Sequence, residues 1–101
     1  MEEEAKLWFC YMLRCGDGAY YIGVATDVEE RVKEHNWGVG ANFTSKRRPV
    51  TLVWWEKRPN QASARKREKE IKGWKREKKE GLIRQQAAGT NPSPAQNAGS
   101  G

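Results

Sequence analysis

The chain has 101 residues, of which 37% are hydrophobic, 10% aromatic and 32% charged. This length favours one small domain, and the aromatic content is too high for a wholly disordered chain. The acidic start of the sequence excludes a signal peptide, and no apolar run reaches the length of a membrane span. Cys10 and Cys15 have no histidine or cysteine partners close in sequence. We therefore expect reduced thiols in a cytoplasmic protein that makes no membrane contact.

The net charge of +6 is distributed unevenly along the chain. Residues 1–45 carry four Lys/Arg against eight Asp/Glu, whereas residues 46–79 carry fourteen against four. A cationic surface on a small domain is typical of a protein that binds a polyanion, most often nucleic acid. On charge alone, a solubilising surface without a partner is an equal alternative.

Two apolar runs near the start predict a β-hairpin. Residues 7–13 form a continuous, aromatic-rich run, which predicts a strand buried on both faces. A Gly-Asp-Gly turn at residues 16–18 leads into a second, antiparallel strand over residues 20–24. Tyr11 and Tyr21 are then expected on neighbouring strands.

An amphipathic helix is predicted after this hairpin. Either Thr26 or Asp27 can cap its start, because a glutamate follows each of them three residues later. Arg31 and His35 are one helical turn apart and point the same way. A cation and an imidazole are therefore expected beside the end of a strand that carries a tyrosine.

A long loop is predicted over residues 38–49, starting at the glycine that ends the first helix. We predict that its basic triplet contacts phosphate groups and that Trp37, at the helix exit, stacks on a base. A solvated charge cluster and a core tryptophan are the alternatives. The triplet consists of Lys46, Arg47 and Arg48.

A third strand over residues 50–55 precedes a helix that starts at about residue 61. Ala64 and Ile71 define the inward face of this helix, and Glu68 lies on the same face, whereas Glu70 points towards solvent. A carboxylate that faces inward is unfavourable unless it is paired or binds a metal. The possible ion-pair partners of this carboxylate are Lys72 and Arg65.

The composition changes near the end of the chain. Gly73 is predicted to interrupt the helix, and a basic helical segment follows over residues 75–79. From Gln85 onwards the sequence is uncharged and rich in Gln, Ala, Gly, Ser, Asn and Pro, which predicts disorder. The predicted organisation is an acidic extension over residues 1–6, a folded domain over residues 7–83 and a disordered tail over residues 84–101.

Together these groups favour hydrolysis of a phosphodiester bond. Arg31 can hold a phosphate oxygen in its planar fork. Glu68 can supply the single carboxylate that a magnesium ion needs when water and substrate provide its other ligands. Tyr21, helped by His35 or Tyr11, can position and deprotonate a water molecule.

The same residues resemble the GIY-YIG endonuclease superfamily, and within it the small domains similar to the UvrC nuclease module and the Slx-type nucleases. The resemblance covers roughly residues 7–83. It is carried by Phe9-Cys10-Tyr11 in place of GIY, Tyr21-Ile22-Gly23 as YIG, Arg31 and His35 with Asn36 and Gly38, Arg47-Arg48-Pro49-Val50, and Glu68 to Trp74.

The resemblance implies an α+β fold with a three-stranded antiparallel sheet flanked by helices. It implies a DNA endonuclease that uses one Mg²⁺ or Mn²⁺ ion and no small-molecule cofactor. The implied roles are water positioning or base for Tyr21, its hydrogen-bonded partner for Tyr11, phosphate binding for Arg31, support for His35 and metal binding for Glu68.

DNA is the expected partner, with specificity for DNA structure or specificity supplied by a protein partner. A place in DNA repair or recombination and association with the nucleoid are expected. Two departures from the family pattern stand out, namely Val24 where UvrC-type domains have a lysine, and Glu80 where many members have an asparagine. The predicted DNA contacts are Lys46, Arg47, Arg48, Trp37 and Lys72.

Two other functions remain open on the sequence. One is a nucleic-acid-binding module that keeps the nuclease scaffold but cleaves little or not at all. The other is a protein-interaction adaptor that uses the tryptophans.

Overall fold

The computed structural model describes residues 7–88, which form one three-stranded antiparallel sheet and four helices. The α+β class predicted from the sequence is confirmed. None of the helices in this part of the chain is both long and apolar enough to cross a membrane. In chain order the elements are β1 (Trp8–Arg14), β2 (Tyr20–Ala25), α1 (Val28–Asn36), α2 (Asn42–Ser45), β3 (Thr51–Arg58), α3 (Gln61–Lys72) and α4 (Arg76–Ala88).

Strand β1 lies in the middle of the sheet, between β2 and β3. Its residues from Phe9 to Leu13 are all buried, which confirms the prediction of a strand covered on both faces. Side chains alternate between the two faces of a strand, so β1 contributes to two separate cores. One contains Phe9, Tyr11, Leu13 and Val28, and the other contains Cys10, Met12, Ile22, Trp54 and Ile71.

The β1–β2 hairpin forms as predicted. The Cys15 amide donates to the Ala19 carbonyl over 2.8 Å, and Gly18 adopts φ +90°, which a glycine takes without steric strain. The register places Tyr11 opposite Gly23 and Leu13 opposite Tyr21. This two-residue offset determines where the tyrosine rings lie relative to each other.

Helix α1 starts at the second of the two possible caps. Asp27 accepts a hydrogen bond from the Glu30 amide, with 3.0 Å between Asp27 Oδ1 and the amide nitrogen. After Trp37 the chain turns at Gly38, whose φ of +88° ends the helix as predicted.

The middle of the chain differs from the prediction at two points. The loop over residues 38–49 contains the short helix α2, which the sequence pattern did not indicate. Strand β3 continues to Arg58, past the predicted end at residue 55, because it stays paired with β1 up to Trp8. The charged residues at its end reach solvent at the rim of the sheet.

The folded part of the chain also ends later than predicted. Helix α4 continues to Ala88, five residues past the predicted boundary at residue 83. The Gln86 side chain explains this, because its amide donates to the Trp55 carbonyl over 2.7 Å and its oxygen accepts from the Trp55 amide over 3.0 Å. Gln86 thereby satisfies one backbone position on the edge of β3. The predicted acidic extension (1–6) and the rest of the predicted tail (89–101) lie outside the described residues.

Candidate active site

Tyr11 stands at the centre of the polar groups that the sequence singled out. It is 1% exposed, and its hydroxyl lies 3.0 Å from His35 Nε2. The ring lies across β2 at Gly23, where an added Cβ would be 2.6 Å from the Tyr11 hydroxyl oxygen. Only glycine therefore lets the hydroxyl reach past β2. Gly23 is part of the YIG triplet in the sequence, but its steric role was not predicted.

His35 is fully buried and bonded at both ring nitrogens. Its Nδ1 lies 2.7 Å from Thr44 Oγ1, and Thr44 donates to the Ala41 carbonyl over 3.1 Å. Gly40 packs against the imidazole so closely that an added Cβ would lie 2.8 Å from His35 Cε1. Neither Thr44 nor Gly40 was predicted from the sequence. Both lie in the loop that follows α1, far from any periodic pattern.

Burial lowers the pKa of His35, and the positive charge of Arg31 lowers it further, while Glu34 acts in the opposite direction. The imidazole is therefore neutral at physiological pH. A neutral ring has one N–H and one bare nitrogen, which matches two different hydrogen-bond partners.

Tyr21 lies next to these two residues. The predicted hydrogen bond between Tyr21 and Tyr11 is not formed. The ring centroids of Tyr21 and Tyr11 are 6.4 Å apart, while that of His35 is 5.0 Å from Tyr21. The hydrogen-bond partner of Tyr11 is His35. The reason is the strand register, which places Gly23 and not Tyr21 opposite Tyr11. Tyr21 is half-buried, so water reaches it more readily than it reaches Tyr11.

Arg31 lies on α1 at the edge of the same cluster. Its Nε is 3.0 Å from Glu34 Oε1, and both side chains are about two-fifths exposed, at 42% and 38%. The guanidinium charge lowers the pKa of both Tyr11 and His35. Arg31 therefore faces the buried pair while its head group remains open to solvent.

Glu68 faces inward and Glu70 faces solvent, as the helix pattern predicted. The Glu68 side chain is 17% exposed and its Oε2 lies 3.0 Å from Lys72 Nζ. Glu70 is 53% exposed and pairs with Arg67 over 2.8 Å. Lys72 is thus the ion-pair partner of Glu68, as one of the two alternatives, Lys72 or Arg65, proposed. The same lysine was also predicted to contact DNA.

Charges from remote parts of the chain act on the Tyr11 hydroxyl. Burial raises the pKa of Tyr11 above its ordinary value, Tyr21 and Glu68 raise it further, and Arg31 lowers it. The groups that act on this one hydroxyl come from β2, α1 and α3. The net effect keeps Tyr11 protonated at neutral pH, so it serves as a hydrogen-bond donor.

A family model described as the GIY-YIG catalytic domain matches residues 7–81, which include every residue of this cluster. The chain belongs to this family. A UPF0213 protein of Staphylococcus aureus (strain Mu3) is 48% identical over 77 residues, covering 76% of this chain and 94% of the relative.

Two solved structures have the same fold. The solution NMR structure of the UPF0213 protein BH0048 from Bacillus halodurans is 34% identical, with a TM-score of 0.51, covering 94% of this chain and 99% of that one. The solution NMR structure of protein EF2693 from E. faecalis is 36% identical, with a TM-score of 0.57, covering 92% of this chain and 98% of that one.

The basic triplet of this GIY-YIG domain holds its own loop together. Arg47 pairs with Asp17 over 3.0 Å and stacks on Phe43, with 4.1 Å from its Cζ to the ring centroid. Arg48 donates to the carbonyls of Ser45 and Asn36. The sequence predicted phosphate contacts, or a solvated charge cluster, for these two arginines and did not indicate their structural bonds.

The outer surface of this loop is apolar as well as basic. Lys46 is exposed, Trp37 is 65% exposed and Phe43 is 39% exposed. The Phe43 ring centroid lies 6.0 Å from that of Tyr21, so this surface adjoins the tyrosine cluster. Trp37 is not a core residue, which leaves its ring available to a ligand.

Glu80, one of the two departures from the family pattern, has a structural role. The Tyr20 hydroxyl donates to Glu80 over 3.1 Å, and Arg76 Nε lies 3.1 Å from the same carboxylate oxygen. Glu80 is therefore occupied between β2 and α4.

The thiols do not offer an alternative nucleophile. Burial, reinforced by Glu68 and Glu56, raises the pKa of Cys10 to about 12. Burial also raises the pKa of Cys15. Both cysteines are free and buried, so they are packing residues of the core.

The residues fit a single hard divalent cation. Among residues 7–88 no three His, Cys, Asp or Glu side chains come together as a metal cluster. Mg²⁺ does not need one, because it binds through one or two carboxylates and keeps water and substrate oxygens as its other ligands. Glu68 is the half-buried carboxylate that meets this need, since its partner Lys72 is a flexible, 55% exposed cation that a metal can displace.

Proposed function

We propose that the chain is a metal-dependent endonuclease that hydrolyses DNA phosphodiester bonds. The observation that carries this proposal is that Tyr21 packs beside the buried Tyr11–His35 pair, on which the charges of Arg31 and Glu68 also act. A hydroxyl, a guanidinium and a carboxylate are the groups that phosphodiester hydrolysis needs.

Arg31 binds the scissile phosphate in this proposal. Its present partner Glu34 is solvent-exposed, and exposed ion pairs contribute about 1 kcal/mol or less. A phosphate can therefore replace Glu34 without a large loss. The planar guanidinium then holds two phosphate oxygens through its fork of N–H groups.

Tyr21 positions the attacking water and, in its phenolate form, accepts the proton of that water. It is the tyrosine that solvent reaches, whereas Tyr11 is buried and held protonated. Tyr11 and His35 form a buried hydrogen-bonded pair next to Tyr21, and this pair keeps the interior side of the site rigid.

Glu68 binds the divalent ion, Mg²⁺ or Mn²⁺. The bound ion would stabilise negative charge on the phosphate and on the leaving oxygen. When the ion displaces Lys72 from Glu68, the ammonium becomes available to a nearby phosphate.

The DNA-binding surface comprises the loop after α1 and the exposed side of α3. Lys46 and Arg48 are exposed and Arg47 is partly exposed. Arg48 contacts Asn36 and Gly38, the two residues that flank Trp37. Contacts from these cationic side chains read the backbone and shape of DNA, so specificity lies in DNA structure or comes from a protein partner. A role in DNA repair or recombination is consistent with that specificity.

The deciding experiment compares Glu68→Gln with Glu70→Gln in a nicking assay on plasmid and branched DNA with Mg²⁺ or Mn²⁺. Both glutamates lie on α3, but only Glu68 faces inward. We expect Glu68→Gln to lower the cleavage rate by about a hundredfold or more, and Glu70→Gln to leave it nearly unchanged. Equal effects of the two substitutions would contradict the proposed role of Glu68.

A DNA-binding module without cleavage is the second candidate. It is favoured by the ion pairs that occupy Arg31 and Glu68, and by the position of Glu80 where many family members have an asparagine. Tight, metal-independent and salt-sensitive DNA binding with no nicking by the wild-type protein would support this candidate over the nuclease.

A further inference from the structure

Thr44 is a polar side chain buried completely inside the tyrosine and histidine cluster. It is 0% exposed, and its hydroxyl oxygen lies 2.7 Å from His35 Nδ1 and 3.1 Å from the Ala41 carbonyl oxygen. A buried hydroxyl that bonds to both a ring nitrogen and a carbonyl oxygen has a defined direction of hydrogen bonding.

The partners of Thr44 determine which nitrogen of His35 carries the proton. A carbonyl oxygen only accepts, so Thr44 makes both hydrogen bonds only when its single hydroxyl hydrogen goes to Ala41, whose carbonyl also accepts from the Ser45 amide over 3.0 Å. Thr44 Oγ1 must then accept from His35, which places the proton on Nδ1. Nε2 is left bare and accepts from the Tyr11 hydroxyl at 3.0 Å.

We propose that Thr44 is a positioning residue that fixes the Nδ1–H tautomer of His35 and thereby makes Tyr11 a donor towards the histidine. The catalytic consequence rests on the proposed nuclease function. With its hydrogen directed at His35, Tyr11 presents its oxygen lone pairs to the side of Arg31. In the opposite tautomer His35 would donate to Tyr11, and the phenol hydrogen would point at the positive guanidinium instead.

The surroundings of His35 keep this arrangement in one geometry. Gly40 packs so close to the imidazole that an added Cβ would lie 2.7 Å from His35 Cγ. The charged groups that act on the histidine, Arg31 and Glu34, both lie on α1. Thr44, on α2, is thus the neutral group that decides between the two tautomers.

The tautomer can be measured directly, because His35 is the only histidine in the sequence. In ¹⁵N-labelled wild-type protein at neutral pH, we expect two-bond ¹H–¹⁵N correlations to show a protonated Nδ1 and a bare Nε2. A protonated Nε2 as the main form in the wild type would overturn the proposal, and this test needs no variant.

The variants Thr44→Val and Thr44→Ser separate the hydrogen bond from the packing. Valine keeps the shape but cannot accept a hydrogen bond, so we expect mixed tautomers and a cleavage rate about tenfold lower. Serine restores the hydrogen-bond acceptor, so it should restore both the single tautomer and the cleavage rate. Ser45→Ala is the matched control, since the Ser45 hydroxyl lies on the same short helix but bonds to the Asn42 carbonyl.

The outcomes distinguish this proposal from the nuclease proposal. Wild-type tautomer and full cleavage in Thr44→Val would overturn the positioning role, whatever the enzyme cuts. An unfolded valine variant leaves the wild-type tautomer and the serine variant as the decisive measurements. If the wild-type protein has the expected tautomer but cleaves nothing, the nuclease proposal and the positioning role both fail, and only the assigned tautomer stands.

Discussion

The Tyr11 hydroxyl lies over the backbone of Gly23, the residue opposite it on the neighbouring strand. Any larger residue at position 23 would occupy the space through which the hydroxyl reaches His35. The glycine of the YIG triplet is therefore part of the site's architecture, although it has no side chain to take part in chemistry.

Gly23→Ala should destabilise the protein and disrupt the site together. The new methyl group would be 2.6 Å from the Tyr11 oxygen and 3.0 Å from a Tyr21 ring carbon, so the rings must move. Overpacking of this kind lowers the free energy of unfolding by about 1–3 kcal/mol. Urea denaturation and the nicking assay would measure the two effects.

Gly81→Ala is the control for the Gly23 substitution. Gly81 lies within α4, and a Cβ there would meet only the far end of the Arg84 side chain at 3.8 Å. Alanine is the better helix former, so the variant should gain up to about 1 kcal/mol. If Gly23→Ala were as stable as Gly81→Ala, the close approach of Tyr11 would be refuted.

Lys72→Met should increase the affinity for divalent metal. The Lys72 ammonium now occupies the Glu68 carboxylate at 3.0 Å, so a metal must displace it. Because the lysine is 55% exposed, the gain should be modest, about two- to fivefold in the dissociation constant. Calorimetric titration with Mn²⁺ in the absence of DNA measures it.

Lys69→Met, on the exposed side of the same helix, controls for the loss of one positive charge. It should change the Mn²⁺ affinity less than Lys72→Met does. Identical titration curves for wild type and Lys72→Met would mean that Glu68 does not hold the ion. DNA cleavage at saturating metal should still fall in Lys72→Met if the freed lysine contacts phosphate.

His35 should make stability depend on pH below neutrality. Burial lowers its pKa in the native state, while the unfolded chain has an ordinary histidine pKa of about 6.5. The unfolded state therefore takes up more protons as the pH falls below about 6.5, and the free energy of unfolding decreases. Above that pH the contribution of His35 is complete.

Denaturation curves between pH 7.5 and 5, compared for wild type and His35→Gln, measure this dependence. The variant lacks the titrating ring, so its stability should change less over the interval, although it is lower at neutral pH. A wild-type stability that rises as the pH falls through this range would show that the imidazole is charged in the native state.

Gln86→Ala should loosen α4 from the sheet. The side chain of Gln86 makes both an acceptor and a donor bond to the Trp55 backbone. Without these two hydrogen bonds, the Trp55 backbone groups at the sheet edge bond only to water. The free energy of unfolding should fall by about 1–2 kcal/mol. Gln85→Ala is a matched control, because Gln85 is an exposed neighbour of the same type.

Hydrogen exchange at the Trp55 amide gives a local measurement of the same contact. We expect faster exchange in Gln86→Ala than in Gln85→Ala. Equal exchange rates in the two variants would show that Gln86 does not cover this strand edge in solution.

Local signals in the sequence were enough to predict several parts of the fold. The β1–β2 hairpin follows from an apolar run, a Gly-Asp-Gly turn and a second apolar run, all within twenty residues. The inward direction of Glu68 and the outward direction of Glu70 follow from the helical period alone. Such features depend on residues close in sequence, so a pattern of two or 3.6 residues is sufficient to find them.

The tertiary structure decided which of these groups touch. The bond from Tyr11 to His35 instead of Tyr21, the support of His35 by Thr44, and the close packing of Gly23 and Gly40 all join segments that are separate in sequence. No local period encodes them, because they follow from strand register and from the path of an irregular loop. The sequence by itself determined the set of chemical groups and the elements that carry them. Only packing in three dimensions decided the partner of each group, since burial and hydrogen bonding depend on distances that the order of residues does not specify.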